Sequence, residues 1–182
     1  MTTMGIRQHL LDLQLKGLVA QSDAEKQTRG RPIHLWTLTK TGHERYPDGH
    51  AQVTVELINV IRENFGEHGL NRVISQRSGQ TTSNYQKALA ELPADLASRI
   101  AGLAKLRSLE GYMAEVRLLP DGWLLIENHC PICSAAQKCQ QFCKTELDTF
   151  REVLGTQASV ERVDHLLAGA RRCAYKVTLK PI

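Results

Sequence analysis

Apolar residues recur at helical spacing from the start of the chain. Ile6, Leu10, Leu13 and Gly17 share one face, which predicts a helix over Thr3 to Leu18 that Gly17 closes. Leu18-Val19 leads into the polar stretch Ser22-Asp23-Ala24-Glu25-Lys26 and then Gln27-Thr28-Arg29-Gly30-Arg31-Pro32. The run Ile33 to Leu38 reads as a strand, so two short strands around a basic, glycine-containing tip predict a β-hairpin. From Ala51 to Gln76 the apolar positions Val53, Leu57, Val60, Ile61, Leu70, Val73 and Ile74 form a stripe, interrupted at Gly66 and Gly69. Two further helices are expected over Asn84 to Leu92 and Ala94 to Glu110, parted by Pro93. Leu96, Ile100, Leu103 and Leu106/Arg107 mark the second stripe.

The period then changes. Tyr112 to Leu118 alternates, Pro120-Asp121-Gly122 turns the chain, and Trp123 to Asn128 is a second strand. Leu147, Phe150 and Leu154 return to helical spacing, and Gly155 ends that helix. Val160 to His165 and Cys173 to Leu179 read as two more strands. The expectation is an α+β chain. It comprises a partial winged helix at 1–48, a linking amphipathic helix at 49–78 suited to pairing two subunits, and a ββαββ sensor domain at 79–182.

Hydrophobic residues make up 42%, enough for a packed core, and the formal charge of +4 is mildly basic, compatible with nucleic acid. No apolar run reaches membrane-spanning length, and the N-terminus does not read as a leader, so a cytoplasmic location is expected. There the five cysteines stay reduced, and their odd number suits metal or redox chemistry better than disulfides. No acid/base pair or Ser–His–Asp arrangement stands out.

Four of the five cysteines fall in the stretch His129 to Cys143, and the fifth is Cys173. Three readings compete. Cys139 and Cys143 extend the stripe of Leu147, Phe150 and Leu154, as small buried hydrophobes would. Cys130-Pro131-Ile132-Cys133 follows an apolar run and opens a helix, as a thiol–disulfide pair does. Alternatively, Cys130, Cys143 and Cys173 ligate a metal or an iron–sulfur cluster, helped by a fourth group. A regular helix from Pro131 would put Cys143 roughly 20 Å from Cys130. The metal reading therefore predicts a break or late start, with Ser134 and Gln140-Gln141 as the expected places.

Met4-Gly5-Ile6-Arg7-Gln8-His9-Leu10, Leu13, Gly17-Leu18-Val19, Arg29-Gly30-Arg31-Pro32 and Trp36-Thr37-Leu38-Thr39 with Gly42 resemble the last helix and wing of a winged helix-turn-helix. The resemblance implies binding to double-stranded DNA, with Thr3, Arg7 and Gln8 on the helix and Arg29 and Arg31 at the wing tip as the contacts. That family places two helices before the recognition helix. None is encoded after Met1, so DNA binding by this chain is expected to be weak.

A second resemblance covers most of the chain. Gly111-Tyr112-Met113-Ala114-Glu115-Val116, Glu127-Asn128-His129-Cys130-Pro131, Cys143 with Glu146-Leu147, Val160-Glu161-Arg162, and Gly169 with Arg172-Cys173-Ala174-Tyr175 are similar to the SufR-type transcriptional regulators. The resemblance implies a homodimer that binds an Fe–S cluster through C-terminal cysteines, with Cys130, Cys143 and Cys173 as matching ligands. The family's remaining cysteine falls near Gln157, which cannot replace a thiolate. For the fourth ligand Cys139 is preferred to Cys133, with His129 or a water behind them. The alternatives are a zinc-structured regulator of the same fold and, from a different class, a C-P-x-C thiol oxidoreductase.

Overall fold

Helix α1 (Thr3–Leu15) forms where the apolar spacing predicts it. The Thr2 side chain caps it by accepting the Gly5 N–H at 3.3 Å. Gly17, at φ +69°, turns the chain out of the helix. The Leu18 N–H then reaches the Leu13 carbonyl and the Gly17 N–H the Gln14 carbonyl, both at 2.9 Å, which is the Schellman closure. The structure, a computed structural model, describes residues 2–23, 34–46 and 48–180. It divides into two units, Met1–Gly49 and His50–Ile182.

In the first unit, strand β1 (Val19–Asp23) pairs antiparallel with β2 (His34–Leu38), Val19 opposite Leu38. The expected tip with Arg29 and Arg31 lies outside the described residues. Thr39 starts the short helix α2 (Lys40–His43), accepting the Gly42 N–H at 3.0 Å while its hydroxyl donates to the Gly17 carbonyl at 2.6 Å. No residue of α1 is buried, so the Ile6/Leu10/Leu13 face is not packed into a core.

The second unit opens with α3 (His50–Ala90), which passes the expected boundary at residue 78 without ending. Two helices meet in it at a kink, where Gly66 leaves helical geometry at φ 67° and ψ −179°. That conformation is essentially restricted to glycine. Gly66→Ala is therefore expected to cost about 1–3 kcal/mol. Urea unfolding measures this, and an unchanged midpoint would show that the chain relaxes without the bend. The predicted stripe splits across the helix. Ile58, Leu70 and Ile74 are buried, whereas Val53, Leu57, Val60 and Val73 remain about half exposed. Helix α4 (Leu96–Leu109) follows Pro93, capped by Asp95, which accepts the Ser98 N–H at 2.8 Å.

Strands β3 (Ala114–Leu119) and β4 (Gly122–Glu127) form the predicted hairpin. With β5 (Ala158–Asp164) and β6 (Cys173–Leu179) they make an antiparallel sheet in the order β3-β4-β6-β5. The molecule is thus α+β, with two antiparallel sheets. One part of the expected ββαββ order is corrected: two helices stand between the hairpins, α5 (Cys133–Lys138) and α6 (Gln141–Leu154). The break falls at Cys139, whose backbone is extended at φ −149° and ψ 105°. This is beside the predicted Gln140-Gln141, while Ser134 lies inside α5.

Register fixes what faces what. Leu125, Tyr175 and Arg162 lie abreast across β4, β6 and β5, and Glu127 lies opposite Cys173. A register shift between Arg162 and Asp164 leaves Val163 as an extra residue, the kind of bulge that re-aims neighbouring side chains. Ile100 and Leu103 of α4 and Phe150 and Val153 of α6 pack with Leu125, Tyr175 and Val177 of the sheet, all without exposed surface. Phe150 meets the Tyr175 ring edge-on at 4.9 Å. Each such side chain contributes about 1.5–3 kcal/mol by burial. This core is the platform for the cysteines.

Candidate metal centre

Separate elements deliver the thiols. Cys130 follows Glu127 of β4 by three residues, and Cys173, opposite Glu127, begins β6. Cys133 is the first residue of α5, with its N–H on the Cys130 carbonyl at 3.2 Å. Because the helix breaks at Cys139, Cys143 lies in the first turn of α6 instead of three turns into a single helix. Cys143 and Cys173 are each 8% exposed, and Cys130 and Cys133 are half-buried. All five cysteines are free thiols. Among the described residues no group of three or more His, Cys, Asp or Glu is placed so that it could hold a metal ion.

Charge ties four of the thiols together. Burial pushes Cys130 up to about 12, and the Glu146 carboxylate and the sulfurs of Cys133 and Cys173 push the same way. Burial pushes Cys143 up to about 11, again with Glu146, Cys173 and Cys133 adding to it. Cys173 is raised by burial and by Glu127 and Glu146. Backbone donors oppose these effects. The Ile132 N–H hydrogen-bonds Cys130, and the Leu166 N–H lies 3.5 Å from the Cys173 sulfur. Of side-chain cations, Arg162 favours the thiolates of Cys143 and Cys173. A thiol–disulfide nucleophile needs an exposed thiol of lowered pKa, and Cys130 has the reverse environment.

Cys139, the expected fourth ligand, is half-buried. Its side chain packs against the cluster of Ile58, Leu70, Ile74 and Ala135, as a small hydrophobe. Cys133 is the one coupled to Cys130 and Cys143. His129 is exposed. Gln157 is also exposed, in the turn after α6, at the opposite end of that helix from Cys143. The helix from Cys143 to Leu154 alone spans roughly 16 Å along its axis. A ligand at residue 157 would lie far from the thiols.

A buried ionic network underlies the thiols, and the sequence pattern did not single it out. The Arg107 Nε–H donates to Glu127 at 2.6 Å, and other guanidinium nitrogens reach Glu146 and, at 3.4 Å, Glu110. The guanidinium carbon lies 3.3 Å from the Tyr112 ring centroid. Tyr175 donates to Glu146 at 3.1 Å, and Arg162 donates to the Cys143 carbonyl. Burial disfavours the Arg107 charge, but Glu146 and Glu127 outweigh it and hold its pKa well above the usual value. Burial lifts Glu127 to about 7. A cleft of about 210 Å³ adjoins this network, walled by Pro131 and Ile132 from the Cys130–Cys133 link, by Tyr85 and by Phe142.

The candidate DNA contacts lie in the other unit. Thr3, Arg7 and Gln8 are exposed on α1, and Arg29 and Arg31 fall outside the described residues. Compared with protein-family models and with curated proteins, the chain finds no match. No helix among the described residues is long and apolar enough to cross a membrane.

Proposed function

We propose that this protein is a DNA-binding transcriptional regulator that carries an iron–sulfur cluster on Cys130, Cys133, Cys143 and Cys173 and responds to iron–sulfur or redox status through it. One observation supports the reading: four thiols, from the β4–α5 loop, α5, α6 and β6, are half-buried or buried, and Cys130 and Cys143 each feel the sulfurs of Cys133 and Cys173. Cys130, Cys143 and Cys173 resist ionisation alone, and a cationic centre of soft metal removes that cost. A second observation supports the reading. The buried Arg162 Nε and His165 Nε2 have no hydrogen-bond partner, and Arg162 is charge-coupled to Cys143, Cys173 and His165. When bound, a cluster supplies one-electron chemistry and sensitivity to oxidants. The chain's own residues hold it, exclude water from Cys143 and Cys173, and donate N–H bonds to Cys130 and Cys173.

The DNA-binding half of the reading is supported by the capped, exposed α1 bearing Thr3, Arg7 and Gln8, followed by a hairpin whose sequence supplies Arg29 and Arg31. The homodimer is supported by Val53, Leu57 and Val60. They are about half exposed and spaced four and three apart, as in a helix-pairing seam.

Anaerobic purification with an absorption spectrum and iron, sulfide and zinc analysis tests the reading. Iron and acid-labile sulfide with visible absorption are expected. Zinc in place of iron would favour the zinc-structured regulator. Metal-free protein that reduces a generic disulfide with turnover would favour the oxidoreductase. Because no residue of α1 is buried, duplex DNA binding by this chain is expected to be weak and salt-sensitive. The log–log slope should be about −0.9 per phosphate contacted. Nanomolar, sequence-specific binding at high salt would contradict that expectation.

A further inference from the structure

We infer that α5 is the strut that holds the bend of α3, and that the Cys130–Cys133 turn governs the α3 arm of residues 50–65 through it. The inference goes beyond the proposed function and does not depend on which group the thiols hold.

Gly66 divides α3 into two arms. The later arm is anchored independently of α5. Ser78 and Thr82 each lie 3.0 Å from the Thr149 hydroxyl, Gln86 donates to Glu152 at 3.1 Å, and Tyr85 and Leu89 belong to the main core. Among the described residues of the earlier arm, Ile58 alone is buried. It shares one cluster with Ala135 of α5 and with Leu70 and Ile74, flanked by Ile61, Cys139 and Phe142. Around a straight helix Ile58 and Leu70 would lie about 120° apart. The kink lets both join Ala135 in that cluster. Arg62 clamps the arrangement. Its Nε–H donates to Glu67 at 2.5 Å, across Gly66, although a straight helix would put the two about 140° apart. Its Nη2 donates to the carbonyl of Lys138, the last residue of α5, at 3.0 Å. A helix end leaves such a carbonyl unpaired, so one guanidinium completes both the bend and the strut.

Helix α5 has six residues and, among the described residues, no side-chain cap. Isolated helices shorter than about 12–15 residues are marginal in water, so its position is set by what it joins and packs against. At its start, the Cys133 N–H closes a turn on the Cys130 carbonyl at 3.2 Å. Pro131 takes the second position of that turn, which its fixed φ suits, and Ile132 has type I geometry at φ −101° and ψ 17°. The Ile132 carbonyl then accepts the Ala136 N–H at 2.9 Å, which joins turn to helix directly. A change in the turn therefore moves α5, and with it Ala135 and the Lys138 carbonyl.

Amide hydrogen exchange, read by mass spectrometry on the full metal-free chain under reductant, tests this relay. Coupling is reciprocal, so it is perturbed from both ends. Pro131 is exposed and lies outside the Ile58 cluster. Pro131→Gly is nevertheless expected to speed exchange by roughly threefold or more over both 133–138 and 55–65, through local opening. Ile58→Ala is expected to speed it by roughly the same factor over 133–138. Residues 77–89 and 100–107 should exchange at the wild-type rate in both variants. If Ile58→Ala does not fold, Arg62→Met takes its place with the same expectation. A rise over 133–138 in Pro131→Gly with 55–65 at the wild-type rate overturns the inference, as does unchanged exchange over 133–138 in either variant. A rise spread evenly over all four segments also overturns it, because the arm and α5 then open only with the whole fold.

Discussion

Serine at Cys143 or Cys173 is expected to abolish retention of iron and sulfide, whereas serine at Cys139 should leave both at the wild-type level. The first two thiols are the most buried of the set and come from α6 and β6, so no neighbouring cysteine replaces either one. A hydroxyl at pH 7 neither ionises nor binds soft metal as a thiolate does. Cys130→Ser should also abolish retention, because it removes the thiol coupled to both Cys133 and Cys173. Cys133→Ser should lose at least half, since a water or a nearby nitrogen can fill one vacated position. Cys139 packs against Ile58, Leu70, Ile74 and Ala135, so its substitution should register in stability. Replacing one buried thiol by a hydroxyl there costs roughly 1–3 kcal/mol. Iron and sulfide assays on the five anaerobically loaded variants decide the matter. Full retention in Cys173→Ser would confine the ligands to residues 130–143. Loss in Cys139→Ser with retention in Cys133→Ser would restore the ligand set that spacing alone favours.

Linear spacing misses the break between Cys139 and Cys143. Cys139 and Cys143 are four apart, which places them on one face only if the helix is continuous. The chain instead breaks at Cys139, whose extended backbone turns the two cysteines to different surroundings. A clue was present: Ala135 and Cys139 are also four apart, and Ala135 is buried against α3. The strand bounds were readable because alternation and turn residues agree there. Cys173–Leu179 forms as expected, and the hairpin around Pro120-Asp121-Gly122 is in register. The kink in α3 was readable, because Gly66 interrupts the apolar stripe where the backbone leaves helical geometry, whereas the run of helix past residue 78 was not. The wing tip lies outside the described residues, so the hairpin is recovered as two paired strands and no further.

The ionic network was hidden for a related reason. Arg107 follows Leu96, Ile100 and Leu103 at helical spacing, so it occupies a core position of the α4 stripe. Glu127 shares the inward face of Leu125 on β4, and Arg162 that of Val160 on β5. A charge at an inward position, repeated on three elements, is a pairing signal. Read one element at a time, each looks like a lapse in the pattern. Only the β4-β6-β5 register and the packing of α4 and α6 on the sheet bring them to the same place as Cys173.

Arg107→Met is expected to destabilise the protein by about 3–5 kcal/mol, because removing one partner of a buried ion network strands the others. Arg107 is 3% exposed, and so is Glu127, whose carboxylate it contacts at 2.6 Å. Glu146 shares the same guanidinium and is already close enough to the thiols to disfavour their ionisation. Methionine keeps much of the side-chain volume against the Tyr112 ring, so the loss should report charge and hydrogen bonds more than packing. Lysine retains a charge but cannot fork between two carboxylates, and Arg107→Lys should recover only part of the stability. Glu127→Gln in the methionine background removes the stranded charge. The double variant should therefore be less destabilised than the sum of the singles, with a coupling of about 0.5–3 kcal/mol. Urea unfolding of the metal-free proteins measures all four variants. Additive losses, or a cost below about 1 kcal/mol for Arg107→Met, would mean the carboxylates relax to solvent when the arginine is absent. The network would then be a surface feature of the cleft and not the floor of the thiol site.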